Sequence, residues 1–156
     1  INMWTSFGYF AKAADDLAML RSVRRALKPG GLFVLDTING GRIARVLQLQ
    51  ETLGLDSERG VEMADGTLVL EDPRVVGGTR VRTRWIFIRG TKRSELVTDI
   101  RLYTGRSLGA LARRAGLEVL RVYGETARRP YTEAASRRVV LIARRPSPRT
   151  RPTRAR

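Results

Sequence analysis

Residues 27–36 constrain the fold more than any other segment. Leu27-Lys28-Pro29-Gly30-Gly31 runs straight into Leu32-Phe33-Val34-Leu35-Asp36. Proline ends a helix, because it has no N–H to donate and its ring strikes the preceding turn, and glycine accepts the positive φ that follows a helix end. The unbroken apolar run after it has the pattern of a parallel strand covered on both faces. Upstream, Leu17, Leu20, Val23 and Leu27 recur at helical spacing. Asp15 or Asp16 is placed to cap that helix, and Arg21, Arg24, Arg25 and Lys28 load its C-terminal half, where the helix dipole favours cations. A helix, a tight turn and a buried strand make half of a βαβ crossover. Residues 37–41 then form a loop at the strand's C-terminal end, the edge where open α/β sheets bind ligands.

The period changes further on. Residues 43–53 carry a second helical pattern through Ile43, Val46 and Leu47. Residues 67–70, 79–88 and 95–103 read as strands. In Arg80-Val81-Arg82-Thr83-Arg84-Trp85 the arginines alternate with less polar residues, which predicts one wet and one packed face. Gly77-Gly78 and residues 89–92 suit the connecting turns. Residues 60–103 are therefore expected to be an antiparallel meander inserted into an α/β pattern. That pattern resumes with a short helix capped by Ser107 and closed by Gly116, then strands at 117–123 and 137–143. The expected organisation is one domain over residues 1–145 and a disordered basic tail over 146–156.

Composition removes several chemistries. There is no cysteine and no histidine, so disulfides, thiolate metal sites and Ser-His-Asp or Cys-His catalysis are out of reach, and no metal site is expected. No apolar stretch approaches the ~20 residues that span a bilayer, and no signal peptide is visible, so a cytoplasmic protein without a membrane partner is expected. The net charge of +15 raises the question of a polyanion partner. Six of the arginines lie between Arg144 and Arg156, so any weak polyanion contact is assigned to that tail.

Several segments together resemble one family. Asn2-Met3-Trp4-Thr5-Ser6-Phe7-Gly8-Tyr9-Phe10 is similar to the loop after the fourth strand in a branch of the class I S-adenosylmethionine-dependent methyltransferases. Residues 27–36 resemble the junction from helix to fifth strand. Arg101-Leu102-Tyr103-Thr104, Ala115-Gly116-Leu117-Glu118-Val119 and a final Val-Val-Leu-Ile-Ala-Arg strand resemble the C-terminal half. The resemblance implies an α/β fold: an incomplete Rossmann-like methyltransferase sheet, holding the later strands and helices, with the last strand antiparallel. It also implies S-adenosylmethionine as cofactor and methyl transfer, most simply to a small-molecule acceptor.

The family's glycine-rich loop after the first strand, and the acid that ends its second strand, have no counterpart here. Neither Gly30-Gly31 nor Gly40-Gly41 is expected to stand between a strand and a helix. The chain is accordingly read as the later part of a longer protein, too incomplete to hold the cofactor well or to act alone, with an unpaired sheet edge and exposed apolar faces. By resemblance, Asn2 and Met3 lie beside the cofactor, and Trp4, Ser6, Tyr9 and Phe10 shape the acceptor pocket. Asn39, Arg101 and Tyr103 are further acceptor-side candidates. Phe7 and Phe10 equally suit a core, Asn39 a turn, and Asp36 a loop cap. No catalytic residue is singled out, since displacement at a sulfonium methyl needs alignment rather than a covalent group. Two alternatives stand beside this reading: a basic nucleic-acid-binding module, and an inactive methyltransferase remnant.

Overall fold

A computed structural model describes residues 1–147 of the chain. Most of the tail expected over 146–156 thus lies outside the described residues. Helix α1 (Ala13–Ala26) leads into strand β1 (Leu32–Ile38), helix α2 (Gly40–Thr52), four strands β2 (Arg59–Glu62), β3 (Leu68–Val76), β4 (Arg80–Arg89) and β5 (Lys92–Arg101), helix α3 (Gly105–Arg114), and strands β6 (Glu118–Tyr123) and β7 (Arg138–Arg144).

The strands form two sheets. In the first, the order is β1-β7-β6, with the last strand of the chain between the other two and antiparallel to both. On the free side of β1, Asn2 makes a parallel bridge to Leu35. Its N–H donates to the Val34 carbonyl and its carbonyl accepts from Asp36 N–H, each at 2.8 Å. An antiparallel last strand inside an otherwise parallel arrangement is what the resemblance implies. The second sheet, β2-β3-β4-β5, is the antiparallel meander.

The main core lies on one face of the three-stranded sheet. Phe33 and Leu35 of β1, and Val139, Leu141 and Ala143 of β7, pack beneath Leu17 and Leu20 of α1 and Leu108, Leu111 and Ala112 of α3. These positions follow the two-residue period of a strand and the three-to-four-residue period of a helix. Leu20, Leu35, Leu108 and Leu141 are fully buried, and truncating any of them to alanine should cost roughly 2–5 kcal/mol. On the opposite face the paired Val34 and Ile142 are only half-buried. Leu32 is exposed, as are Leu96 and Val97 of β5.

Local structure departs from the sequence reading at identifiable places. Neither Asp15 nor Asp16 caps α1: the helix begins at Ala13 behind Lys12, with no side-chain cap. Asp16 is instead buried in the first turn. The expected loop at 37–41 is shorter, because β1 continues to Ile38 and α2 opens at Gly40 under an Asn39 cap. Strand β2 has no sequence precedent, as its four residues are all exposed and carry no alternation. Thr104, not Ser107, caps α3. Ser107 completes a capping box from the N3 position, its hydroxyl accepting from the Thr104 N–H. Arg144 and Arg145 lie inside the expected domain boundary and are built into the fold. Arg144 ends β7 and pairs with Glu118, while Arg145 exchanges backbone hydrogen bonds with Gly30 and Gly31.

The meander is fastened to the rest of the chain at several points. Gly40 N–H donates to the Tyr103 carbonyl, and Arg101 N–H to the Gly8 carbonyl. Arg80 adds a side-chain hydrogen bond to the Phe10 carbonyl. In β4, Val81 and Thr83 are buried while Arg82 and Arg84 are exposed, as the alternation predicts. Ile86 breaks the pattern, being buried on the arginine face.

Candidate active-site edge

The C-terminal end of β1 gathers the chain's polar machinery. Asp36 is almost fully buried, a costly place for a carboxylate without a partner. Arg138 of β7 supplies one: Nε and Nη2 donate to Oδ1 and Oδ2 at 2.5 and 2.7 Å. This two-point fork is the geometry in which arginine holds carboxylates best. The same carboxylate accepts the Trp4 N–H at 3.3 Å, and Arg138 Nη2 also reaches the Thr5 hydroxyl at 3.2 Å. Asp36 is thus neither a free base nor a simple loop cap. It anchors the loop that follows Asn2.

That loop is bent sharply. Trp4 and Thr5 both have left-handed backbone, at φ 59 and 61°. For residues other than glycine this conformation is strained, for a β-branched threonine especially, and it persists only where the surroundings impose it. Here Asp36 and Arg138 do so. Gly8 has φ 101°, and a Cβ there would stand 2.8 Å from the Arg101 carbonyl oxygen, so only glycine fits.

The loop candidates separate into two groups. Trp4 projects into solvent at 87% exposure, and Tyr9 and Phe10 are about half exposed. Asn2 and Met3 are partly open. The Asn2 side-chain oxygen accepts from the Ser6 hydroxyl at 3.1 Å, and that hydroxyl also reaches the Met3 carbonyl at 2.7 Å. Phe7, by contrast, is core, its ring 5.3 Å from that of Tyr103.

The acceptor-side candidates outside the loop have their polar atoms engaged within the protein. Asn39 caps α2 through Gly41 N–H, donates to the Glu133 and Ser136 carbonyls, each at 2.8 Å, and accepts from the Tyr131 hydroxyl. Arg101 Nε donates to Asp16 at 3.0 Å and its Nη2 to the Ala11 carbonyl. The Tyr103 hydroxyl donates to the same Asp16 oxygen at 2.8 Å. Burial, and then the bond to the Asp16 carboxylate, push the Tyr103 phenol well above its ordinary value. The other Asp16 oxygen is buried with no partner among the described residues.

Gly40-Gly41 proves to stand between a strand and a helix, contrary to the sequence reading. The junction is not an open cradle. A Cβ on Gly40 would lie 2.7 Å from Leu102 Cβ and the Tyr103 nitrogen, and one on Gly41 would lie 2.9 Å from the Glu133 side chain. Protein fills the space that a ligand phosphate or ribose would need.

Beside this junction opens a cleft of about 590 Å³. Ile38, Ile43 and Val46 give it an apolar wall, and Arg42, Arg59, Arg137 and Arg138 face it from three elements and the segment before β7. None of these four arginines stands out in the sequence as a candidate. Their convergence depends on β2 and on the register of β7 against β1, neither of which leaves a local signal.

The sheet order and the antiparallel last strand match a class I S-adenosylmethionine-dependent methyltransferase-like fold. Among solved structures, the chain is similar to the CcbJ methyltransferase from Streptomyces caelestis, with 21% identity and a TM-score of 0.71 over 91% of this chain. It is also similar to an S-adenosylmethionine-dependent methyltransferase from Clostridium acetobutylicum, with 15% identity and a TM-score of 0.75 over 93%. A third is CalS10, an amino pentose methyltransferase from Micromonospora echinaspora solved with S-adenosylmethionine bound, at 19% identity and a TM-score of 0.57 over 91%. The chain spans 58, 56 and 55% of those three chains. No family profile and no curated protein matches the sequence. No helix among the described residues is long and apolar enough to cross a membrane.

Proposed function

We propose that this chain is the acceptor-side part of an S-adenosylmethionine-dependent methyltransferase acting on a small molecule, in the cytoplasm. The observation that carries the reading is Asn2 paired parallel to β1, with a strained, aromatic-bearing loop leaving it at the edge where this fold class places its ligands. The small-molecule acceptor is favoured by the neighbours, one of which is an amino pentose methyltransferase by name.

The described residues do not fit a complete cofactor site. The glycines where α2 follows β1 are packed against Leu102, Tyr103 and Glu133, and Gly105, where α3 follows β5, is packed against the Tyr131 ring. When bound, the cofactor would supply an electrophilic methyl group. This chain's own part is alignment and the exclusion of water, the two contributions that a methyl displacement needs most from a protein. Asn2 and Met3 flank the cofactor's side of the edge. Trp4, Ser6, Tyr9 and Phe10 shape the acceptor's surroundings. Asn39, Arg101 and Tyr103 act as positioning residues: Asn39 holds the 131–137 segment against α2, and Arg101 and Tyr103 fix the loop and the meander to Asp16.

The test is a methyl-transfer assay on the full-length protein with labelled S-adenosylmethionine and a panel of amino and hydroxyl small-molecule acceptors. Transfer to one of them supports the reading. Transfer to RNA or protein alone would replace it. Calorimetry on the 156-residue chain should show little or no binding of the cofactor, and micromolar affinity would contradict the incompleteness argued above.

A further inference from the structure

We infer that the arginine cleft receives an anionic group, a phosphate or carboxylate, of the acceptor. This rests on the methyl-transfer reading for the word acceptor, but not for the anion site itself.

Four arginines from separate parts of the chain line one cleft. Arg42 stands in the first turn of α2, Arg59 begins β2, and Arg137 and Arg138 enter β7. Mutual repulsion disfavours gathering like charges unless something offsets it. Arg138 is offset by Asp36. Arg42, Arg59 and Arg137 take part in no ion pair among the described residues. Arg59 is even in register with Glu71 on β3 without forming one. The charge in the cleft is therefore left for a ligand.

The cleft is also held in place. The Asn39 N–H donates to the Arg137 carbonyl at 3.1 Å, and the Asn39 side chain fixes Glu133 and Ser136 just before it. Arg138 N–H donates to the Gly124 carbonyl, and its guanidinium is clamped on Asp36. The backbone that carries Arg137 and Arg138 is thus fixed, and the arginine fork matches phosphate and carboxylate oxygens two at a time. The wall of Ile38, Ile43 and Val46 suits the uncharged part of the same molecule. Through Arg138, which also touches Thr5, the cleft adjoins the Trp4 loop. An acceptor anchored here by its anion would present its remaining length toward that loop.

The test is calorimetric titration of the 156-residue chain with sodium pyrophosphate and, separately, with malonate, in about 0.15 M salt so that diffuse attraction is screened. One saturable site is expected. Tighter binding of pyrophosphate assigns a phosphate, and tighter binding of malonate a carboxylate. Arg42→Gln, Arg59→Gln and Arg137→Gln should each weaken it about tenfold, the loss of one charge-assisted hydrogen bond. Arg89→Gln, a well-exposed arginine on the β4–β5 hairpin, should leave it unchanged. Circular dichroism confirms that each variant is folded. Absence of a saturable site for both anions, or equal weakening by Arg89→Gln, overturns the inference. Neither titration needs the cofactor, so anion binding without any methyl transfer would fail the proposed function alone, and transfer without anion binding would fail this inference alone.

Discussion

Arg138 and Asp36 lie across the β1–β7 ladder from one another, two registers off a direct pair, and form a two-point ion pair in which the Asp36 side chain is 2% and the Arg138 side chain 28% exposed. Removing the arginine leaves a buried charge uncompensated. Arg138→Gln is expected to cost roughly 2–4 kcal/mol in urea denaturation, below the full penalty of a buried pair because water reaches the guanidinium. The exposed pair Arg93–Glu95 provides the contrast: Arg93→Gln should change stability by no more than about 0.5 kcal/mol.

Trp4 combines strained backbone with an exposed side chain, so stability and function should part company there. Trp4→Gly relieves the left-handed conformation and forfeits almost no burial. Its unfolding free energy should stay within about 1 kcal/mol of the parent or rise. In the full-length protein the same change should raise KM for the acceptor if the ring lines its surroundings. An unchanged KM would remove Trp4 from the proposed site.

Two glycine substitutions should have opposite signs. Gly40→Ala drives a methyl group into Leu102 and the Tyr103 backbone and is expected to cost about 1–3 kcal/mol. In Gly109→Ala, within α3, the new methyl meets only the flexible end of Arg113, at 3.4 Å. It should gain about 0.5–1 kcal/mol from helix propensity. Thermal unfolding of both variants is the check.

Acid should loosen the meander through Asp99. Burial alone would raise this carboxyl, but hydrogen bonds from Arg80 and Arg82 outweigh it and hold the group below its ordinary 3.8. A lowered folded pKa stabilises at neutral pH, and the benefit is lost as pH falls through that lowered value. Asp99→Asn should therefore be less stable than the parent at pH 6 and approach it as the pH falls below the ordinary 3.8 and through the lowered value. A gap that stays constant with pH would contradict this assignment.

Tyr103 makes the matching case at high pH. Its phenol is held protonated, so its contribution is complete below the ordinary tyrosine value of 10.0 and declines as pH rises beyond it. In an ultraviolet titration, Tyr103→Phe should remove the latest-ionising component.

How much of this was legible in the sequence varied with the range of the interactions. The turn at Pro29-Gly30-Gly31 and the strand that follows it are local and stand where expected, but the expected cover on both faces does not hold, since Val34 is half-buried and Leu32 exposed. Helix starts misled wherever a tertiary contact outbid a local one. Asp16 had the right chemistry for a cap, yet Arg101 and Tyr103, more than eighty residues away, hold it inside. Asn39 looked like a turn residue or a ligand contact, and it caps a helix while gripping a segment more than ninety residues on. The cleft was invisible because its arginines are scattered over residues 42–138, and nothing near any one of them points to the others.

The ties between the two sheets bear on how the molecule comes apart. A meander hung on two slack linkers would be an autonomous unit, able to open while the rest stayed shut. This one has its last strand hydrogen-bonded to Gly8, its exit at Tyr103 bonded to the first residue of α2, and Arg101 locked onto a carboxylate in α1. Breaking any of these exposes groups that belong to the other sheet's core. The two sheets should accordingly exchange their most protected amide hydrogens at one common rate and melt in a single transition.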